Sequence, residues 1–170
     1  CGAEAITIDQ EWGKPVDPAA VEETLKEHPD AKLLAFVHAE TSTGVLSDAK
    51  TLCALADRYG CLSVVDAVTS LAGSELRVDD WGVDAIYSGT QKCLSCVPGI
   101  APVSFSARAA KVITQRRTPV QSWFLDLNLV MAYWGGSAKR AYHHTAPVNS
   151  LYALHEALLI LQEEGLIQSW

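Results

Sequence analysis

Apolar residues in this chain gather in short runs, and the spacing within the runs changes several times along its length. Ala3 to Asp9 alternates apolar and polar positions, which predicts a strand. Lys32 to His38 (KLLAFVH) and Cys61 to Asp66 (CLSVVD) are nearly continuous apolar runs, the pattern of parallel strands covered on both faces. Asp84 to Ser88 (DAIYS) reads as another strand, and Val103 to Ser106 (VSFS) as a further one. The gap between these two is too short for a parallel crossover, which takes about a dozen residues or more, so the last strand is expected to run antiparallel.

Helical spacing fills the intervals. Pro15, Asp17 and Pro18 form a turn that supplies a helix cap with proline in the first turn, and helix follows to about His28. Ser47 reads as the cap of a helix from Ala49 to Tyr59, closed by Gly60. Ser106 caps a helix through about Thr114, and Leu125 to Trp134 is a further helical run. Leu151, Leu154, Leu158 and Leu161 mark an amphipathic helix ending near Gly165. Strands alternating with helices predict an α/β chain built on a mostly parallel sheet with one antiparallel strand.

The 170 residues suffice for one α/β domain with a real core. A formal net charge of -7 without any Lys/Arg run argues against nucleic acid or an anionic membrane as partner. The five cysteines, Cys1, Cys53, Cys61, Cys93 and Cys96, are odd in number and scattered, unlike a secreted disulfide framework. No apolar stretch reaches the roughly 18 to 20 residues of a membrane span, and the N-terminus does not resemble a signal peptide. A cytoplasmic protein is expected, with a peroxisomal or mitochondrial location open because both ends read as cut from a longer chain.

In an open parallel sheet, ligands bind beyond the carboxyl ends of the strands. Three polar segments follow such ends: His38 to Gly44 (HAETSTG), Asp66 to Ser70, and Ser88 to Lys92 (SGTQK). A lysine in a loop of small residues beyond a buried strand can point into a cleft, where a partly desolvated amine forms imines. Paired with it, an aspartate at a strand end can hold a pyridine nitrogen protonated and make the ring an electron sink. Lys92 and Asp66 are that pair. Taken singly, each also reads as an ordinary loop lysine or turn carboxylate.

The run Val64 to Ser70, then Tyr87 to Lys92 (YSGTQK), then Pro98, Gly99 and Val103 to Ser106, resembles the class V aminotransferases of fold type I. Among them it is most similar to the alanine-glyoxylate and serine-glyoxylate (serine-pyruvate) aminotransferases. The match extends to His38 through Leu46 and to Tyr142 through Val148. The resemblance implies the fold type I large domain of a pyridoxal 5'-phosphate enzyme. Residues 1–150 would be its central part, and 151–170 the start of a helix leading to a C-terminal domain beyond this chain.

It further implies that Lys92 is the Schiff-base lysine and proton shuttle, and that Asp66 binds the pyridine nitrogen. Val68 would pack on the ring face, Gln91 would contact the phosphate, and Thr41 would stand where the family usually has a serine. Tyr142 and Thr145 would reach the phosphate of the neighbouring subunit, because family members are homodimers with shared active sites. The activity implied is transfer of an amino group from alanine or serine to glyoxylate or pyruvate. Alternatives are pyridoxamine-pyruvate transamination, a lyase or desulfurase of the same class, and an incomplete or non-catalytic α/β fragment.

No metal is expected. Cys93 and Cys96 have zinc spacing but no second pair of ligands, and His143 and His144 are adjacent rather than one helical turn apart. Asp79 and Asp80, before Trp81 and Gly82, read as a solvated turn.

Overall fold

The computed structural model describes residues 2–134 and 141–170; Cys1 lies outside the described residues. Asp17 accepts a hydrogen bond from Ala19 N at 2.9 Å and so starts helix α1, Pro18–Glu27, with proline in its first turn. Strand β1 is Leu33–Val37 and helix α2 is Ala49–Arg58. Strands β2, Leu62–Asp66, and β3, Ala85–Tyr87, follow, then β4, Val103–Phe105. Helix α3, Ala107–Thr114, is capped by Ser106, whose hydroxyl accepts from Ala109 N at 3.1 Å. After a short 3-10 turn at Trp123–Leu125 come α4, Leu127–Trp134, α5, Val148–Glu164, and α6, Leu166–Ser169.

The four strands form one sheet in the order β1-β2-β3-β4. The first three are parallel, and β4 pairs antiparallel with β3 as the short gap requires. Leu34, Phe36, Val65 and Ile86 point to one face. There α1, α2 and the segment after β2 cover them through Val21, Leu25, Leu52, Cys53, Val83 and Trp81.

Three sequence expectations change. Ala3 to Asp9 joins no ladder among the described residues: alternation sorts side chains to two sides but supplies no partner strand, and only Ile8 of this run packs on the core. The β1 run is covered on one face, not both, since Leu33 is 58% exposed and Val37 38%. Asp48, not Ser47, caps α2, because its carboxylate accepts from Thr51 N at 3.0 Å while the buried Ser47 hydroxyl accepts from Val16 N. Strand β2 reaches β3 through consecutive turns.

The amino-terminal end of the sheet is held by a buried carboxylate. Asp84, 3% exposed just before β3, accepts from Ser63 N at 3.0 Å, Ser106 Oγ at 2.8 Å, and Arg108 Nε and Nη2 at 3.0 and 2.5 Å. Its own N–H donates to Ser63 Oγ at 2.9 Å. Arg108 also donates to Asp57 and to the Cys61 carbonyl, at 2.8 and 2.9 Å, so one guanidinium joins α3 to α2, β2 and β3. Burial alone would raise the Asp84 carboxyl, but the bonds from Arg108, Ser63 N and Ser106 outweigh it and hold it below its ordinary value.

A folded-state value below the unfolded one means that Asp84 stabilises the fold above about pH 3.9, and that this stability is lost as pH falls through the folded value. Asp84→Asn should therefore destabilise the complete protein at pH 7 by about 2 to 3 kcal/mol. In denaturant titrations the gap between variant and parent should narrow as pH drops below about 4, whereas a gap independent of pH would contradict this role.

Candidate active site

The parallel register sets Val37 beside Asp66 and Asp66 beside Tyr87, and the antiparallel pair adds Val103 beside Tyr87. Residues directly opposite in a ladder share a face, so these four cross the sheet on the face turned away from the α1 and α2 core. Asp66 is thereby placed at the carboxyl end of β2, on the open side. Its Oδ1 accepts from Val68 N at 2.8 Å and its Oδ2 from the Tyr87 hydroxyl at 2.6 Å. The bond to Asp66 first, and burial second, push the Tyr87 phenol above its ordinary value.

The three strand-end segments are joined to one another. Main-chain bonds continue the ladder past the strands, from His38 N to the Asp66 carbonyl and from Ala67 N to the Tyr87 carbonyl, both at 2.9 Å. The hydroxyls of Thr41 and Thr69 are hydrogen-bonded to each other, and the Cys93 thiol donates to the Thr69 carbonyl at 3.1 Å. Thr69 thus links the segment after β1 to the loop that carries Lys92. Beneath it, His38 is 2% exposed, shares a 2.9 Å bond with Ser70 Oγ, and meets Trp81 edge-on. Burial pushes its imidazole pKa down, only partly opposed by Asp48, so His38 is a neutral support of the site rather than a charge in it.

Lys92 sits in a closed loop between β3 and β4. Ser88 Oγ donates to the Ala67 carbonyl at 2.9 Å, and the fully buried Thr90 hydroxyl donates to the Val97 carbonyl at 2.5 Å. Ser95 N donates to the Lys92 carbonyl at 2.9 Å and Cys96 N to the Thr90 carbonyl at 3.0 Å, so the turn around Lys92 is held by its own backbone. The Lys92 side chain is half-buried and its ammonium has no hydrogen bond or ion pair with another described residue. Gln91 folds over Gly89, where an added Cβ would meet Gln91 Oε1 at 2.6 Å; only glycine admits that position of the amide.

Thr41, Asp66, Val68, Gln91 and Lys92 therefore belong to segments gathered along one edge of the sheet. Tyr142 and Thr145 do not join them in this chain. Their hydroxyls bond each other, Tyr142 is 72% exposed, and its ring contacts Tyr133. The buried His143 between them stacks on Trp123 at 4.1 Å and bonds the Trp123 carbonyl through Nε2 at 3.0 Å, tying this segment to the 3-10 turn. A cavity of about 510 Å3 between α3 and the start of α4 contains none of the expected site residues. Sequence reading gave no role to Tyr87, Thr69 or His38, although all three fall in segments it singled out.

The edge offers an amine without a partner among the described residues, a carboxylate fixed by two donors with acceptor capacity left, and neutral hydroxyl and amide groups. This set suits a ligand presenting a carbonyl to the amine and a protonated ring nitrogen to the carboxylate. Residues 1–170 match the family model for aminotransferase class V. Alanine-glyoxylate aminotransferase of Oryctolagus cuniculus is 44% identical over 170 residues, covering 99% of this chain and 43% of the relative. (S)-ureidoglycine-glyoxylate transaminase of Bacillus subtilis (strain 168) is 36% identical, covering 97% and 43%. The crystal structure of alanine-glyoxylate aminotransferase from Nostoc sp. superimposes with a TM-score of 0.93 at 44% identity, covering 99% of this chain and 44% of that one. The chain thus spans less than half the length of these relatives.

Proposed function

The chain belongs to the class V aminotransferase family, and from that premise we propose that its protein transfers an amino group from alanine or serine to glyoxylate or pyruvate. The family cofactor is pyridoxal 5'-phosphate. Support for glyoxylate comes from two relatives whose names share it, and support for alanine from the name of the relative that is 44% identical. Serine and pyruvate rest on the resemblance of the motifs.

In this reading Lys92 binds the cofactor through its side-chain amine, which has no partner among the described residues. Asp66 keeps the ring nitrogen protonated, Val68 lies against the ring face, and Gln91 and Thr41 donate to the cofactor's oxygens. When bound, the cofactor supplies an electron sink for the charge left on the substrate α-carbon. The Lys92 amine, set free when the substrate's own amine takes its place, would be the base that accepts the proton from that α-carbon and hands it on. The observation that carries the proposal is the sharing of one sheet edge by an amine without a partner among the described residues and a doubly held carboxylate.

We further propose that the protein works as a homodimer with shared sites, each subunit lending Tyr142 and Thr145 to its partner's phosphate. The support is that these exposed hydroxyls bond each other among the described residues, and that His143 anchors them to Trp123 rather than to the strand edge.

Borohydride reduction of the complete protein with pyridoxal phosphate should abolish a visible absorbance band and leave the phosphopyridoxyl label on Lys92. A label on Lys111 or Lys139, or no band at all, would refute the site. For the dimer, Lys92→Ala protein mixed with a Tyr142→Phe, Thr145→Ala double variant should regain activity above either parent, since each heterodimer holds one intact site. Proven heterodimers without recovery would refute sharing.

A further inference from the structure

We propose that Tyr87 is a positioning residue: its phenol holds the Asp66 carboxylate in the orientation that a protonated ring nitrogen requires. The inference rests on the cofactor reading above and extends it to a residue outside that set. Asp66 has one donor on each oxygen, Val68 N on Oδ1 and the Tyr87 hydroxyl on Oδ2. Rotation of a carboxylate about its last torsion is broad. With the Val68 bond alone, Oδ2 could swing about Oδ1; the second donor fixes the plane.

Geometry makes the arrangement rigid. Tyr87 stands directly across the ladder from Asp66, so the phenol is delivered by the pairing of β2 and β3 rather than by a mobile loop. Tyr87 is 42% exposed within this chain and lies on the face turned away from the α1 and α2 core, so its ring does not serve that core. A phenol also differs from the alternatives in charge. Arginine or lysine would neutralise Asp66, whereas a neutral hydroxyl orients the anion and leaves its charge for the ring nitrogen. A carboxylate has about four lone-pair sites, and two donors leave room for that nitrogen. Because its pKa is pushed up, the phenol remains a donor across the neutral range.

A double-mutant cycle on the complete protein separates this role from packing. With pyridoxal phosphate bound, Tyr87→Phe should weaken cofactor affinity about tenfold and move the pH midpoint of the visible band. In an Asp66→Asn background the same replacement should do neither. Equal effects in both backgrounds, or none in either, would overturn the inference while leaving the cofactor reading intact. A parent protein without any visible band would overturn the cofactor reading, and this inference with it. A cofactor-free measurement guards against a Tyr87→Phe protein that fails to fold: the Tyr87 ring carbons, followed by NMR, should titrate above an ordinary tyrosine in the parent and closer to it in Asp66→Asn. Identical titration in the two would overturn the inference.

Discussion

Everything at the candidate site depends on the register between β2 and β3. A slip of one residue would turn every side chain of β3 to the other face of the sheet, carrying Tyr87 away from Asp66. The pairing covers only three residues of β3, and side chains fasten it at both ends. At the amino end, Asp84 and Ser63 exchange two bonds, each main-chain N–H donating to the other's side chain. At the carboxyl end, Tyr87 donates to Asp66. Arg108 braces the first lock, where no cofactor chemistry is proposed, and leaves the second uncharged apart from Asp66 itself.

This division separates the stability of the sheet from its chemistry. The amino-terminal end carries a buried acid already matched by a guanidinium and two further donors, a set that suits holding strands together. The carboxyl-terminal end carries an acid matched only by neutral donors and an amine with no partner among the described residues. Such incomplete pairing leaves both groups able to take a ligand. His38 and Thr69 serve that edge indirectly, the first as a neutral prop under the segment after β2, the second as a bridge to the Lys92 loop.

Much of this was legible in the sequence, for local reasons. Apolar runs gave β1 and β2 to within a residue at each end, the short gap gave the direction of β4, and Ser106 and Asp17 acted as the caps their side chains allow. Asp66 and Lys92 stood out because each follows a strand. What sequence could not provide was anything set between segments. Ala3 to Asp9 has strand alternation but no pairing partner among the described residues, and the leucine stripe of α5 forms a helix without any buried residue. The residue opposite Asp66 is decided by register, and the partner of Thr41 by the path of a turn, so Tyr87 and Thr69 had no visible role. Ser47 lost its cap to Asp48 because Val16 N, far away in sequence, claimed its hydroxyl.

The central claim is that a carboxylate ending β2 and an amine in the loop after β3 serve one bound ring. It is tested most directly by nitrogen-15 NMR of the complete protein carrying pyridoxal phosphate labelled at the ring nitrogen, compared with its Asp66→Asn variant. The account predicts a protonated ring nitrogen at neutral pH in the parent and an unprotonated one in the variant. The same protonation state in both would contradict it.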